Sequence, residues 1–307
     1  MEAMPALASI RTWGEMVKFS HSVFALPFAL IATFLAGAQL PGGRPSVLQF
    51  TLIVVCMVTA RSFAMTFNRI ADARIDARNP RTANRPIPAG KISSEAAWRF
   101  LGLSGLSFLA GCAGFFIFHG NHWPLLLAVP TLIFLAAYSY AKRFTMLAHY
   151  FLGAAIAFAP TAAWLAIDPA SVGLSAALLS GTVLFWIAGF DIIYACQDVD
   201  IDRRDGLFSI PAQMGVAGAL TIARVSHGLA MVMLVVLGLS AGLGWLYWAA
   251  TGMTALLLAV EHSLVKSNDL SKVNLAFFTV NGIISLVLGI ATIADVLWIS
   301  PTTRPVF

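Results

Sequence analysis

Charge is what this 307-residue sequence has least of: Asp, Glu, Lys and Arg make up 11% of it, against about 25% in a soluble globular domain. Together with 59% hydrophobic residues and a mean hydropathy of +0.83, that scarcity excludes a soluble fold. Cysteine is also scarce. Cys56, Cys112 and Cys196 all lie within apolar stretches, where they read as small packing residues. Their spacing offers neither a disulfide framework nor a thiolate metal site. The net charge of +5 follows membrane topology and contact with anionic headgroups, and gives no reason to invoke nucleic acid.

What the sequence has in abundance is long apolar runs. They fall near 20–40, 46–68, 96–118, 122–141, 147–167, 173–197, 216–241, 243–264 and 273–298, each about the twenty residues a helix needs to cross the hydrocarbon. The expected architecture is an all-α polytopic membrane protein of nine transmembrane helices, forming a single domain over 1–307. The first run has Arg11 and Lys18 ahead of it and Ala36-Gly-Ala38 behind, but it is too long for a cleaved signal and eight more runs follow. With the N-terminus in the cytoplasm, the inner loops receive Arg69 to Lys91, Lys142 with Arg143, Arg203 with Arg204, and Lys266 with Lys272. Arg44 and Arg304 alone fall outside, so the positive-inside bias sets this orientation in a bacterial-type inner membrane.

Against this apolar background one polar stretch, residues 68–90, stands out. Asn68, Asp72 and Asp76 are spaced four residues apart. At 3.6 residues per turn each step overshoots one turn by only about 40°, so the three share a helix face. Three oxygen-bearing side chains in line suit a hard cation such as Mg²⁺. The arginines that follow suit phosphate oxygens, and Pro80, Pro86, Pro88 and Gly90 prevent a long helix there. A second stretch, 191–211, repeats the pattern. Asp198 and Asp202 keep the four-residue spacing, and Tyr194 and Asp191 continue that face backwards. Both stretches end helices of the same parity, which puts them on one side of the membrane and suggests a weak internal repeat of helices 2–4 and 6–8.

Lys142 and Arg143 end the fourth run on that same side, either as positive-inside anchors or as partners of an anionic diphosphate. Arg61, costly inside an apolar run, must face the protein interior or a wet cavity; pairing with a neighbour and service at the site are both open to it. Lys18 and His21 sit at the inner mouth of the first helix, as interfacial anchors or as part of a headgroup pocket. His119 and His122, three residues apart on an outer loop without a third ligand, read as structural.

The chain resembles the UbiA superfamily of intramembrane aromatic prenyltransferases over nearly its whole length. The resemblance is carried by Asn68-x3-Asp72-x3-Asp76, the segment Arg81 to Gly90, Lys142-Arg143-Phe144-Thr145, and Tyr194-Ala195-x2-Asp198-x3-Asp202-x3-Gly206-x2-Ser209. It implies a central cavity open to lipid, with a cytoplasmic cap over two Mg²⁺ ions. The subgroup it is most similar to prenylates 4-hydroxybenzoate in ubiquinone synthesis. Arg69, where many of those enzymes have Asp, and Phe208, where many have Lys, are similar instead to a branch proposed to prenylate a dihydroxynaphthoate on the futalosine route to menaquinone.

The implied reaction uses Asn68, Asp72, Asp198 and Asp202 as Mg²⁺ ligands, with Asp76 as a ligand or as support for one. Arg78, Lys142 and Arg143 neutralise the diphosphate of a polyprenyl diphosphate, which leaves an allylic cation. The ring of an aromatic acid attacks, and Asp191 or Tyr194 orients the ring or takes its proton. A transporter would place its acids near mid-bilayer, whereas these acids sit at helix ends beside arginines. If the carboxylates face one another uncompensated, Asp72→Asn or Asp198→Asn should leave thermal stability unchanged or slightly raised.

Overall fold

The structure is a computed structural model that describes residues 5–18 and 24–299, with side chains from residue 11 onward. Phe19 to His21 and Arg304 lie outside the described residues, as does any site role for His21. Among the described residues the fold is entirely helical, apart from a single isolated bridge between Lys266 and Asp269.

The helices are α1 (Pro5–Val17), α2 (Leu26–Gly37), α3 (Val47–Asp76), α4 (Ser94–His119), α5 (Trp123–Ala137), α6 (Ala148–Ile167), α7 (Leu174–Ala195), α8 (Val199–Asp205), α9 (Ile210–Ser240), α10 (Trp245–Leu264) and α11 (Asn281–Ala294). A 3-10 turn extends α5 through Arg143 and another joins α7 to α8, while π-helical turns flank α11. Seven of the described helical segments are long and apolar enough to span a membrane. The other two expected spans are helical as well. However, α2 has only 12 residues, and α10 is diluted by Tyr247, Trp248, Glu261 and His262, so the count of nine is not reached on length and hydropathy.

Local chemistry sets the helix ends. Ser46 and Gln49 form a reciprocal capping box that starts α3. Ser93 caps α4, and Gly120 ends it at φ 68°, a conformation that costs a residue with a Cβ. At the opposite end from the acidic stretches, the Asp295 carboxylate accepts from the backbone N–H groups of Gly244 (2.6 Å) and Leu246 (3.2 Å). It thereby satisfies orphan donors at the start of α10 and ties α11 to it.

Helix α7 is the most buried of the spanning segments and packs chiefly on α6 and α9, with α2 filling the gap between α6 and α11. Close approach depends on small residues, as expected where no hydrophobic force acts between helices in lipid. A Cβ on Gly153 of α6 would collide with the backbone carbonyl of Leu184 on α7. One on Gly189 of α7 would collide with the His227 ring on α9. The core is aromatic: Phe24, Phe28, Trp186, Phe190 and Phe277 pack around one another, and the cluster reaches Tyr194 through a ring contact of 4.2 Å between Tyr194 and Phe277.

Candidate active site

The two acidic stretches, more than a hundred residues apart in sequence, meet. Asp72 and Asp76 end α3, Asp198 lies in the turn after α7, and Asp202 lies on α8. The 77–93 connection lies across both. Asn79 Nδ2 donates to Asp198 Oδ1 at 3.2 Å. The Arg81 Nε donates to the same oxygen at 3.0 Å, its Nη2 pairs with Asp198 Oδ2, and its Nη1 donates to the Tyr194 hydroxyl at 3.0 Å. The guanidinium also lies over the Tyr194 ring, 5.1 Å from its centre. Burial works against the Arg81 charge, but the hydrogen bonds and charge of Asp198 outweigh it and hold the guanidinium's pKa above its ordinary value. A second clasp joins the same elements: Arg204 donates to the Arg78 carbonyl at 3.2 Å, and Asp205 lies 3.5 Å from the Arg78 guanidinium.

Every carboxylate of the first motif has a cation. Lys142 Nζ sits 2.6 Å from Asp72 Oδ2, with Arg143 Nη2 3.5 Å from the other oxygen. Asn68 Nδ2 donates to Asp72 at 3.1 Å, so the expected pair is together. Both oxygens of Asp76 lie 2.7 Å from Arg85 Nη1, which makes Asp76 the anchor of the following loop. In the second motif Asp202 accepts from Ser209 Oγ at 2.7 Å. Lys142 also links the halves through its carbonyl, which accepts from the Phe208 N–H at 2.7 Å. Arg143 donates to the Ala71 carbonyl at 2.6 Å and lies over the Tyr140 ring. Arg78 is largely exposed and engaged with Asp205. Lys18 reaches the same basic surroundings: burial lowers its pKa first, followed by the charges of Arg69, Arg85 and Arg81.

As a donor set, hard oxygens at one end of the bundle fit Mg²⁺. The buried Asp72 Oδ1 accepts no hydrogen bond, which leaves one lone-pair face for an ion. Among the described residues, however, no three acidic, histidine or cysteine side chains converge on one point. Asp72, Asp76 and Asp198 are each paired with a cation instead.

Three participants are not evident from motif spacing. Arg81 and Arg85 stand in a basic loop, where they look like topology markers, yet they neutralise Asp198 and Asp76. His149, on the first turn of α6, has its Nδ1 2.8 Å from Asp191 Oδ2. Its only sequence trace is one polar residue at the start of an apolar helix. Elsewhere on α7, Trp186 Nε1 donates to Asn281 Oδ1 at 2.8 Å, and Asn281 donates to the fully buried Glu261 at 2.9 Å. Glu261, one turn from the end of α10, is thus part of a buried polar chain.

Helix architecture, paired acidic helix ends and matched cations define a charge-paired polar site at one end of a bundle of membrane-length helices. Residues 25–298 match the model of the UbiA prenyltransferase family, and the chain belongs to that family of enzymes. It is 31% identical over 252 residues to a protein of Xanthomonas campestris pv. campestris named 4-hydroxybenzoate octaprenyltransferase, covering 81% of both chains. A protein of the same name from Neisseria gonorrhoeae is 27% identical over 225 residues, covering 73% of this chain and 74% of the other. Among solved structures, the apo UbiA homolog of Aeropyrum pernix K1 superposes with a TM-score of 0.79 at 30% identity, covering 90% of this chain and 98% of that one. The Archaeoglobus fulgidus UbiA homolog bound to GPP and Mg²⁺ shares the fold, with a TM-score of 0.71 at 18% identity over 93% of this chain and 99% of that one.

Proposed function

We propose that this enzyme transfers a polyprenyl group from a polyprenyl diphosphate to a ring carbon of an aromatic carboxylic acid, with Mg²⁺, at the cytoplasmic face of a bacterial inner membrane. The acceptor we favour is 4-hydroxybenzoate, in ubiquinone synthesis. The observation that carries the reading is the meeting of Asp72 and Asp198 at one end of the bundle, each already held by a cation. Asn68, Asp72, Asp198 and Asp202 would hold Mg²⁺, with Asp76 fixing the loop through Arg85. Bound Mg²⁺ supplies neutralisation of the leaving diphosphate. When diphosphate enters, Lys142, Arg143 and Arg81 exchange carboxylate for phosphate oxygens, which frees Asp72 and Asp198. Arg78 joins them from the exposed side. The relatives named 4-hydroxybenzoate octaprenyltransferase and the homolog holding GPP and Mg²⁺ support this reading.

Arg61 supports an acid as acceptor. It lies seven residues, or two turns and about 10 Å, before Asn68 on one face of α3. Its Nε is buried without a hydrogen-bond partner, and its Nη2 donates at 3.3 Å to the Lys18 carbonyl. Among the described residues it has no carboxylate partner, so a ligand carboxylate would satisfy a charge that is otherwise expensive to bury.

A second reading, a dihydroxynaphthoate acceptor in menaquinone synthesis, is favoured by Arg69 and Phe208. Arg69 is buried beside Asn68. Phe208, whose backbone N–H donates to the Lys142 carbonyl, carries a phenyl group where a lysine would add a cation. Purified enzyme supplied with a polyprenyl diphosphate, each aromatic acid and Mg²⁺ or EDTA tests both readings. Transfer to 4-hydroxybenzoate that EDTA abolishes is expected, and complementation of strains lacking either prenyltransferase ranks the acceptors. No transfer to any aromatic acid would refute the proposal.

A further inference from the structure

We propose that Asp191 is the base that removes the ring proton, and that His149 is the residue that positions and orients it; this rests on the aromatic-acceptor reading above. Asp191, Tyr194 and Asp198 follow one another at intervals of three and four along the same face of α7 and its terminal turn, so Asp191 lies one turn deeper in the membrane than Tyr194. That is where a base is needed, beyond the diphosphate end and against the reacting carbon. Tyr194 is a poor choice: its hydroxyl oxygen already accepts from Arg81 at 3.0 Å, and a neutral phenol must itself ionise before it takes a proton.

The Asp191 carboxylate is half-spoken for. Its Oδ2 is 2.8 Å from His149 Nδ1, while Oδ1 has no hydrogen bond among the described residues and the side chain retains 24% exposure. The tautomer follows from the backbone. The Ile210 N–H donates to His149 Nε2 at 3.3 Å, so Nε2 is the bare nitrogen and Nδ1 carries the hydrogen that it gives to Asp191. The neighbouring Ser209 hydroxyl donates to Asp202, which ties the pair to the second acidic motif through one peptide unit. Gly153, one turn along α6 from His149, lies against Leu184, two turns back along α7 from Asp191. Absence of a side chain there is what brings the two helices close enough for the imidazole to reach the carboxylate.

The chemistry balances. The allylic C–O bond breaks, with its electron pair leaving on the diphosphate, and a ring π pair forms the new C–C bond. The ring is then a cation with hydrogen still on the attacked carbon. Asp191 Oδ1 takes that proton, and the C–H pair restores aromaticity. Such a ring proton is very acidic, so a carboxylate is basic enough; in a pocket that excludes water, position decides the rate.

The test uses the full chain in detergent with a polyprenyl diphosphate, Mg²⁺, and the aromatic acid that wild type prenylates, unlabelled or deuterated at the ring carbon attacked. Asp191→Asn should lose about 100-fold or more in kcat, the range for a positioned general base, with KM for the diphosphate unchanged. It should also show a primary deuterium effect larger than wild type, because proton loss has become limiting. His149→Phe should raise the isotope effect in the same sense. His149→Asn, which keeps an N–H donor near Nδ1, should restore most of the rate, a rescue that a purely structural role does not give. If Asp191→Asn does not fold, the isotope effect of His149→Phe decides. Near wild-type kcat or an unchanged isotope effect in these variants overturns the assignment while leaving the prenyl transfer intact. A wild type that prenylates no aromatic acid overturns the functional reading itself.

Discussion

Neutralising Asp72 distinguishes two accounts of the site. Facing carboxylates that lack compensation repel, so Asp72→Asn would relieve strain and hold or raise the melting temperature. The structure supplies the compensation that this argument leaves out. Asp72 is 2% exposed and has Lys142 Nζ at 2.6 Å, Arg143 at 3.5 Å and the Asn68 amide at 3.1 Å. At an effective dielectric of about 20, the Lys142 attraction alone is about 6 kcal/mol before desolvation. Lys142 is 31% exposed, so water recovers part of that when the partner is removed. Removing one member of a buried pair costs about 3–5 kcal/mol and of a surface pair about 1 or less. A half-buried case should fall near 2 kcal/mol.

Metal-free Asp72→Asn should therefore melt roughly 5 °C below wild type, at about 2–4 °C per kcal/mol for chains of this order of size. Lys142→Met should fall by a similar amount. The double variant should fall by less than the sum, because each change removes the same interaction. The assay is thermal melting in detergent with EDTA, run beside prenyl transfer, which Asp72→Asn should nearly abolish. A variant that melts at or above wild type, or a cycle with no coupling, would refute the claim that the apo site is held together by these ion pairs. Substantial transfer by Asp72→Asn would remove that residue from the active site.

Other outcomes follow from groups beside the acidic clusters. Because the fold disfavours the Lys18 charge, the folded state binds fewer protons than the unfolded chain below the ordinary lysine value of 10.5, and stability should rise with pH on approach to it; a melting series in which Lys18→Met shows the same slope as wild type would contradict this. Arg61→Leu should raise KM for the aromatic acid about tenfold or more, the worth of a hydrogen bond to a charged group, with KM for the prenyl diphosphate unchanged and stability not lowered; a KM change on the diphosphate alone would reassign Arg61. Asn281→Leu strands the Trp186 N–H and the Glu261 carboxyl in a core where Asn281 and Glu261 are both fully buried, which should cost about 3 kcal/mol, read as a fall in melting temperature; no change would mean that water replaces the amide.

Much of this was legible in the sequence because membrane burial enforces it. Apolar runs declare their helices, and the four-residue period of Asn68, Asp72 and Asp76 and of Asp198 and Asp202 marks the two polar helix ends that the fold brings together. Partnership was illegible. Arg81 and Arg85 have the composition of a topology signal, and only the path of the 77–93 loop brings them over Asp198 and Asp76. His149 finds Asp191 through a crossing set by Gly153, a residue without functional groups. Glu261 sits where a helix would end on polarity alone, but Asn281 and Trp186 supply hydrogen bonds that let it stay inside. The short α2 shows the reverse limit, since hydropathy gave a full span to 20–40 and the described helix covers Leu26–Gly37.

The charge arrangement also constrains the order of events at the site. Lys18, Arg69, Arg81, Arg85, Lys142 and Arg143 outnumber the four aspartates they surround, so the metal-free pocket is already electropositive. On the function proposed above, Asp72 and Asp198 could hold a divalent cation only after giving up Lys142 and Arg81, which without diphosphate would then lie beside an added positive charge. A diphosphate arriving first, or with its metal, gives the same two side chains phosphate oxygens in exchange for carboxylate and uncovers the aspartates in the same step. The ion pairs of the free enzyme thus act as place-holders: Lys142 and Arg81 occupy Asp72 and Asp198, and on the function proposed above metal binding there would depend on the diphosphate that draws those cations away.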